Sequence, residues 1–330
     1  MISVTVPVMS TERAATRERG RRAAVAFLAG LGTIVALSTV VMLGALIPLP
    51  AGASTPHGVV DVVAAENFWG DIARQLGGNA VSVTSLITNP NADPHLFETD
   101  ATDAAKLAEA RVIIENGAGY DGWMSSLLGA DSGHPTVVNA AHVLHITGSD
   151  PNPHLWYDIP EVPKVAAAIS AALTKADPHD SATFGRNLER FDASLAPLNT
   201  ELAAIRTKFA HAPVAYTERV PGYALAVADL AVKTPPGFAR AIEDGEDPGP
   251  ADTVAMEQLL TKHRVDVLLY NVQTVTPVTT QIRGLAEKDG IAVIGVSETM
   301  PAADRSYQQW QLSQLTALFD ALQHATAAAS

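Results

Sequence analysis

Four side chains in this sequence have the type and placement to hold a metal ion together: His95, His154, Glu218 and Glu298. The histidines lie in two similar stretches, NPNADPHLFE (89–98) and DPNPHLWYD (150–158). In each, a proline precedes the imidazole and a leucine–aromatic pair follows it. The glutamates end two apolar runs, VAYTE (214–218) and VIGVSE (293–298). The chain has no cysteine, which removes thiolate ligands, iron–sulfur clusters and disulfides and leaves imidazole, carboxylate and carbonyl donors. Taken singly, each residue has an ordinary explanation. A loop histidine is more often a surface or capping residue, and Asp93-Pro94 and Asp150-Pro151 are common turn chemistry. Glu218 suits a solvated strand end and Glu298 a helix cap. Their shared position at strand exits carries the combined reading, because open α/β sheets bind ligands beyond the carboxyl ends of their strands.

The elements that must position these residues recur in two blocks. VVDVVAA (59–65), VSVTSLI (81–87), RVIIENG (111–117) and PTVVNAA (135–141) read as strands of the first. VAYTE, LAVKTP (230–235), VDVLLYN (265–271) and IAVIGVSE (291–298) read as strands of the second. Short runs rich in valine and isoleucine are what buried parallel strands require. Helical segments over 67–78, 100–110, 161–173, 252–263 and 278–290 alternate with them, which predicts two α/β domains. Two imidazoles then sit on the rim of the first domain and two carboxylates on the rim of the second, and facing rims make a four-ligand cage. Between the blocks, Phe184, Leu188, Phe191, Leu195, Leu198, Leu202, Ile205 and Phe209 are spaced alternately four and three apart. That is one stripe on a helix of about 45 Å, which Pro197 would kink or split. The expected fold is α/β, with two (βα)4-type lobes and parallel sheets joined by a long rigid linker helix. The lobes occupy 54–178 and 211–330, and the linker 179–210.

The remaining composition narrows the function. Of 330 residues, 47% are hydrophobic and 17% charged, enough for a real core. A net charge of −13 excludes the basic surface that nucleic acid needs and suits a cationic ligand. At the N-terminus, RERGRR (17–22) precedes an uncharged run over 23–47, and Ala51-Gly52-Ala53 follows it as a small-x-small pattern. Residues 1–53 therefore read as an export signal cleaved near Ser54, with a retained membrane anchor as the alternative. The acidic stretch IEDGEDPG (242–249) lacks the twelve-residue spacing of an EF-hand and reads as a solvated loop.

Four segments carry a resemblance to a family. ADPHLFETDATDAAKLAEARVIIENGAGYDGW (92–123) and DPNPHLWYDIPEVPKVAAAI (150–169) resemble the first two ligand segments of the periplasmic or extracellular solute-binding proteins of bacterial zinc and manganese ABC importers, the cluster A-I metal-binding receptors. YTERVPGYALAVADLAV (216–232) and GVSETMP (295–301) resemble the third and fourth. The similarity runs through 58–328. It implies a receptor that captures one zinc or manganese ion per chain outside the cytoplasmic membrane, through His95, His154, Glu218 and Glu298. It also implies delivery to an ABC permease, as a monomer and without catalysis. Three departures stand out. Asn152-Pro153 is inserted before His154, which could move that imidazole off the ion. Glu298 stands where the family usually has aspartate, and no histidine-rich loop separates the first two ligands. By softness a His₂Glu₂ set leans toward manganese relative to a three-histidine site, the missing histidine-rich loop leans the same way, and a bidentate carboxylate would supply the higher coordination that manganese prefers. The alternatives are an exported metallohydrolase, against which the absence of an HExxH motif speaks, and a metal-binding adhesin of the same fold.

Overall fold

The valine- and isoleucine-rich runs fold into two sheets of the same strand order. A computed structural model describes residues 58–91, 93–128 and 134–329, so the expectation of an export segment over 1–53 lies outside the described residues. The first sheet contains β1 (Val60–Glu66), β2 (Val81–Ile87), β3 (Val112–Glu115) and β4 (Thr136–Asn139), arranged β2-β1-β3-β4. The second contains β5 (Pro213–Tyr216), β6 (Ala231–Val232), β7 (Val267–Asn271) and β8 (Ala292–Val296), arranged β6-β5-β7-β8. Every pairing is parallel. Val62, Ile113, Val267 and Leu268 are buried in strands covered on both faces, as parallel sheets demand. Several strands end earlier than their apolar runs. Asn116, Thr217, Glu218, Ser297 and Glu298 have left the ladder and turn into loops. In each sheet the order reverses between its first and third strands, the switch point beyond which such sheets bind ligands.

Helices alternate with these strands. Those of the first half are α1 (Asn67–Gly77), α2 (Ala101–Glu109), α3 (Gly122–Leu128), α4 (Ala140–Val143) and α5 (Val162–Ala176). The predicted stripe over 180–210 is present as α6 (Ser181–Ser194) and α7 (Ala196–Phe209), separated at Leu195. Pro197 causes the break: its ring and missing N–H are tolerated in a first helical turn but not in a helix interior. The stripe itself is intact, with Phe184, Phe191, Leu195, Leu198, Leu202 and Ile205 all in the core. The second half continues with α8 (Gly222–Val227), α9 (Pro236–Glu243), α10 (Pro250–Thr261), α11 (Pro277–Lys288) and α12 (Tyr307–Ala329). Helix α12 packs along α7 and reaches α1, so it touches both halves. Among the described residues no helix is long and apolar enough to cross a membrane.

The seam between the halves is aromatic and heavily hydrogen-bonded. Phe68 stacks on Trp156 at 4.1 Å between ring centres and lies 6.1 Å from Trp310. The Tyr307 hydroxyl donates to the Trp156 carbonyl (2.6 Å) and the Tyr157 hydroxyl to the Ser297 carbonyl (2.7 Å). The Asn67 amide exchanges two hydrogen bonds with the Met300 backbone, at 2.8 and 2.9 Å. Among the acidic residues of the loop over 242–249, one departs from the expected solvation. Glu243 is buried and takes both oxygens to Arg219 (2.7 and 2.6 Å), which also reaches Asp150 of the first half at 3.0 Å. A buried carboxylate is tolerable only with such a partner, and the partner lies 24 residues away in sequence.

Candidate metal centre

Each of the four candidate residues stands on the rim of a sheet, held by its own loop. After β2 the chain turns at Asp93, whose carboxylate accepts the backbone N–H of His95 (2.9 Å) in a short turn over Pro94–Leu96. After β4 and α4 the loop reaches His154, held from three sides. Asn116 donates to the Pro153 carbonyl (2.8 Å), and the Asn152 side-chain Oδ1 accepts both the His154 backbone N–H (3.1 Å) and its Nδ1–H (2.7 Å). Glu218 follows β5, where the Thr217 hydroxyl accepts the backbone N–H of Asn271 (3.0 Å). Glu298 follows β8, with its backbone N–H given to the Gln273 side-chain carbonyl (2.6 Å).

The structure brings all four together. One donor atom from each lies within 4.8 Å of the others. His95 Nε2 is 3.2 Å from Glu298 Oε2 and 3.4 Å from Glu218 Oε1, and His154 Nε2 is 3.4 Å from Glu298 Oε2. The side chains of His154, Glu218 and Glu298 are fully buried, and His95 is 17% exposed, so the cluster faces solvent on the His95 side. His95 Nε2, His154 Nε2 and Glu218 Oε1 are buried with no well-formed hydrogen bond. Buried polar atoms gathered at one point without well-formed hydrogen bonds are costly, and a cation or a proton among them relieves that cost.

The electrostatics agree. Burial alone would lower His95, but its contacts with Glu218 and Glu298 overcome burial and push it up to about 11. For Glu298 burial acts upward, and the adjacent His154 and His95 more than offset it, holding the carboxyl well below its usual range. Burial, reinforced by the charge of Glu298, raises the Asp93 carboxyl to about 6. The two carboxylates therefore attract positive charge into a buried site, and in the metal-free chain a proton on His95 supplies part of it.

A second ring of residues fixes these donors. Asn271 Nδ2 donates to Glu218 Oε2 (2.5 Å) and Glu298 Oε1 (2.7 Å), and the Tyr120 hydroxyl donates to Glu298 Oε2 (2.9 Å). Sequence reasoning passed over both. Tyr120 lies inside the NGAGYD stretch (116–121), whose purpose is now visible. The Asp121 carboxylate accepts the backbone N–H groups of Asn116 (2.5 Å) and Gly117 (2.8 Å), closing a tight turn that aims Tyr120 at the cluster. Gly117 has φ +73°, and a Cβ there would lie 2.5 Å from Asn139, so only glycine fits. Asn271 ends β7, and the strand-exit rule that found the glutamates also points to it.

Asn152-Pro153 does not displace His154. Asn152 braces it: with Nδ1 committed to Asn152, the lone pair of His154 is on Nε2, facing the cluster. The same side-chain amide donates to the Arg219 carbonyl (2.9 Å), next to Glu218, and the Tyr223 hydroxyl donates to the Asn152 backbone carbonyl (2.9 Å). Asn152→Ala is expected to weaken metal binding about 10–100-fold, the usual cost of losing a partner that orients a ligating histidine. Competition against a chelator of known affinity measures it, and Asn152→Asp, which keeps the acceptor for His154 but loses the donor to the Arg219 carbonyl, should recover only part of the loss.

Two parallel α/β units carry a buried group of two imidazoles and two carboxylates that could hold a cation. The chain belongs to the family described as zinc-uptake complex component A, periplasmic, whose model matches residues 62–321. It is 29% identical over 161 residues to the manganese-binding lipoprotein MntA of Bacillus subtilis, covering 47% of this chain and 51% of that one. It is 23% identical over 227 residues to the manganese ABC transporter substrate-binding lipoprotein scaA of Streptococcus gordonii, covering 63% and 71%. The chain thus spans about half the length of the Bacillus relative. Its fold is similar to that of the periplasmic zinc binding protein TroA from Treponema pallidum, with TM-score 0.69 and 18% identity over 81% of this chain and 99% of that one. Membership makes the chain a substrate-binding component of metal transport and sets the metallohydrolase alternative aside.

Proposed function

We propose that this chain captures one divalent transition-metal ion, zinc or manganese, outside the cytoplasmic membrane and delivers it to an ABC permease. His95, His154, Glu218 and Glu298 are its ligands. The observation that carries the reading is the convergence of His95 Nε2, His154 Nε2 and Glu218 Oε1, buried and unsatisfied, on Glu298 Oε2. Two neutral imidazoles and two carboxylates neutralise a dication, so its burial leaves no net charge. The metal is cargo, and nothing is transformed.

In this reading the ion ties the lobe over 54–178, which supplies the imidazoles, to the lobe over 211–330, which supplies the carboxylates. The helices over 179–210 and the aromatic seam restrict release to small tilts of one lobe on the other. Breaking the Arg219–Asp150 pair and the Asn152–Arg219 hydrogen bond is part of that opening. Residues 1–53 act as the export signal or anchor, and the chain works as a monomer.

Elemental analysis of the purified protein is expected to find about one zinc or manganese ion per chain. Ion at a hundred times its Kd adds about 2.7 kcal/mol of stability, which for a unit of this size raises Tm by about 5–10 °C. Protein that carries no metal and shows no thermal shift with either ion refutes the reading.

A further inference from the structure

We infer that Asn271 sets the coordination number of the bound ion, by holding both glutamates to a single donor oxygen each, and so biases the site toward four-coordinate zinc over manganese. This rests on the receptor reading above and adds a specificity-determining residue to it.

Each glutamate has two oxygens and presents only one to the cluster. Glu218 Oε1 and Glu298 Oε2 are the atoms near the imidazoles, at 3.4 Å and 3.2 Å from His95 Nε2. The other oxygens, Glu218 Oε2 and Glu298 Oε1, both accept from Asn271 Nδ2, at 2.5 and 2.7 Å. A bidentate carboxylate must bring both oxygens to about 2.0–2.6 Å from the ion. Here that requires turning the carboxylate off the amide and exchanging a charge-assisted hydrogen bond for the weaker, neutral acceptor that the Thr274 hydroxyl offers at 2.9 Å.

Asn271 cannot follow such a turn. Its side-chain oxygen accepts the backbone N–H of Gln273 (3.1 Å), which fixes which end of the amide faces the glutamates. Nδ2 also contacts the Thr274 hydroxyl (2.9 Å), and the residue is fully buried. Gln273 in turn grips the backbone of Glu298 and Thr299, at 2.6 and 2.9 Å. The Tyr120 hydroxyl occupies one lone-pair direction of Glu298 Oε2 and restrains that carboxylate from the far side. One rigid amide therefore clamps both carboxylates.

What remains for the ion is two nitrogens and two oxygens, a donor set suited to tetrahedral zinc. Manganese favours more oxygens and a higher coordination number, for which a bidentate carboxylate is the available source. The softness of the ligand set leans toward manganese, but the higher coordination manganese prefers needs a carboxylate free to bind through both oxygens, and Asn271 removes that freedom.

Zinc outranks manganese at almost any such site by the Irving–Williams order, so the informative quantity is the change in their affinity ratio. Zinc and manganese affinities of the wild-type protein and of Asn271→Ala would be measured by competition, together with the visible spectrum of each after loading with cobalt(II). The wild-type spectrum is expected to show the intense bands of tetrahedral cobalt, and Asn271→Ala the weak bands of higher coordination. The zinc-to-manganese ratio should fall about tenfold or more in the variant. An unchanged ratio and spectrum overturn the inference. So does X-ray absorption of manganese-loaded wild-type protein showing six donors with both glutamates bidentate, a measurement that needs no folded variant. Wild-type protein that binds neither metal refutes the receptor reading itself, a result distinct from binding with the wrong geometry.

Discussion

Glu298→Ala is expected to weaken zinc or manganese binding by about 10⁴-fold. Four-donor structural zinc sites hold the ion with about 10–16 kcal/mol, so one donor's share is about 3 kcal/mol, or two decades in Kd. Losing a carboxylate costs more than losing a donor. The dication is left with one buried counter-charge, and an uncompensated buried charge costs about 3–5 kcal/mol. Glu298 is also the residue on which the cluster converges: both imidazoles, Tyr120 and Asn271 contact its two oxygens. His154→Ala, which removes a neutral donor, should lose only about the hundredfold share of one ligand. Glu298→Gln keeps the shape and one donor oxygen without the charge, and should fall between the two. Chelator competition on the three variants orders them. A Glu298→Ala protein within tenfold of wild type would remove Glu298 from the ligand set.

That the largest effect falls on Glu298 shows where the sequence was least informative. GVSETMP offers one acidic residue after an apolar run, and the position departs from the aspartate of related segments. Nothing local says that Gln273 and Asn271, 25 and 27 residues earlier, fix its backbone and side chain. The strands were legible because valine and isoleucine runs bounded by turn residues have few other uses. The four candidate ligands were legible because the parallel-strand rule names the end of each strand where chemistry can sit. The same rule selects too many residues. Glu66 ends β1 at the switch point and is fully buried, yet it lies outside the cluster. Burial, and then the charge of Asp121, push its carboxyl well above the usual range, which favours its uncharged form. Asn152 and Tyr120 escaped for the opposite reason, and Asn271, which the rule does reach at the end of β7, was passed over because it carries no charge. An uncharged side chain has no spacing signature, and its role exists only once the fold supplies a partner. Helix α12 escaped as well: its long alanine- and glutamine-rich stretches dilute the apolar period of Tyr307, Trp310, Leu318 and Leu322.

Metal affinity is expected to rise with pH by about a decade per unit through the neutral range, because an ion must displace the proton held on His95. With that imidazole pushed up to about 11, the metal-free protein carries the proton throughout ordinary buffers. Below about pH 6 the slope should steepen. Asp93, raised to about 6, is then protonated as well, and a nearby dication drives that proton off. Between pH 8 and pH 5 the predicted loss exceeds a thousandfold. The metal-free protein responds with the opposite sign. A histidine raised above its unfolded value of 6.5 contributes stability that is fully present below that value and is lost as pH rises through about 11. Alkaline pH therefore weakens the empty protein and strengthens the loaded one, so the metal-induced rise in Tm should grow from pH 6 to pH 9. Calorimetry of zinc binding in two buffers of different ionisation enthalpy should count about one proton released at pH 7.5. His95→Ala should abolish that release and flatten the pH dependence above pH 6. A slope that survives in His95→Ala would place the displaced proton on another group and take His95 out of the role the geometry gives it.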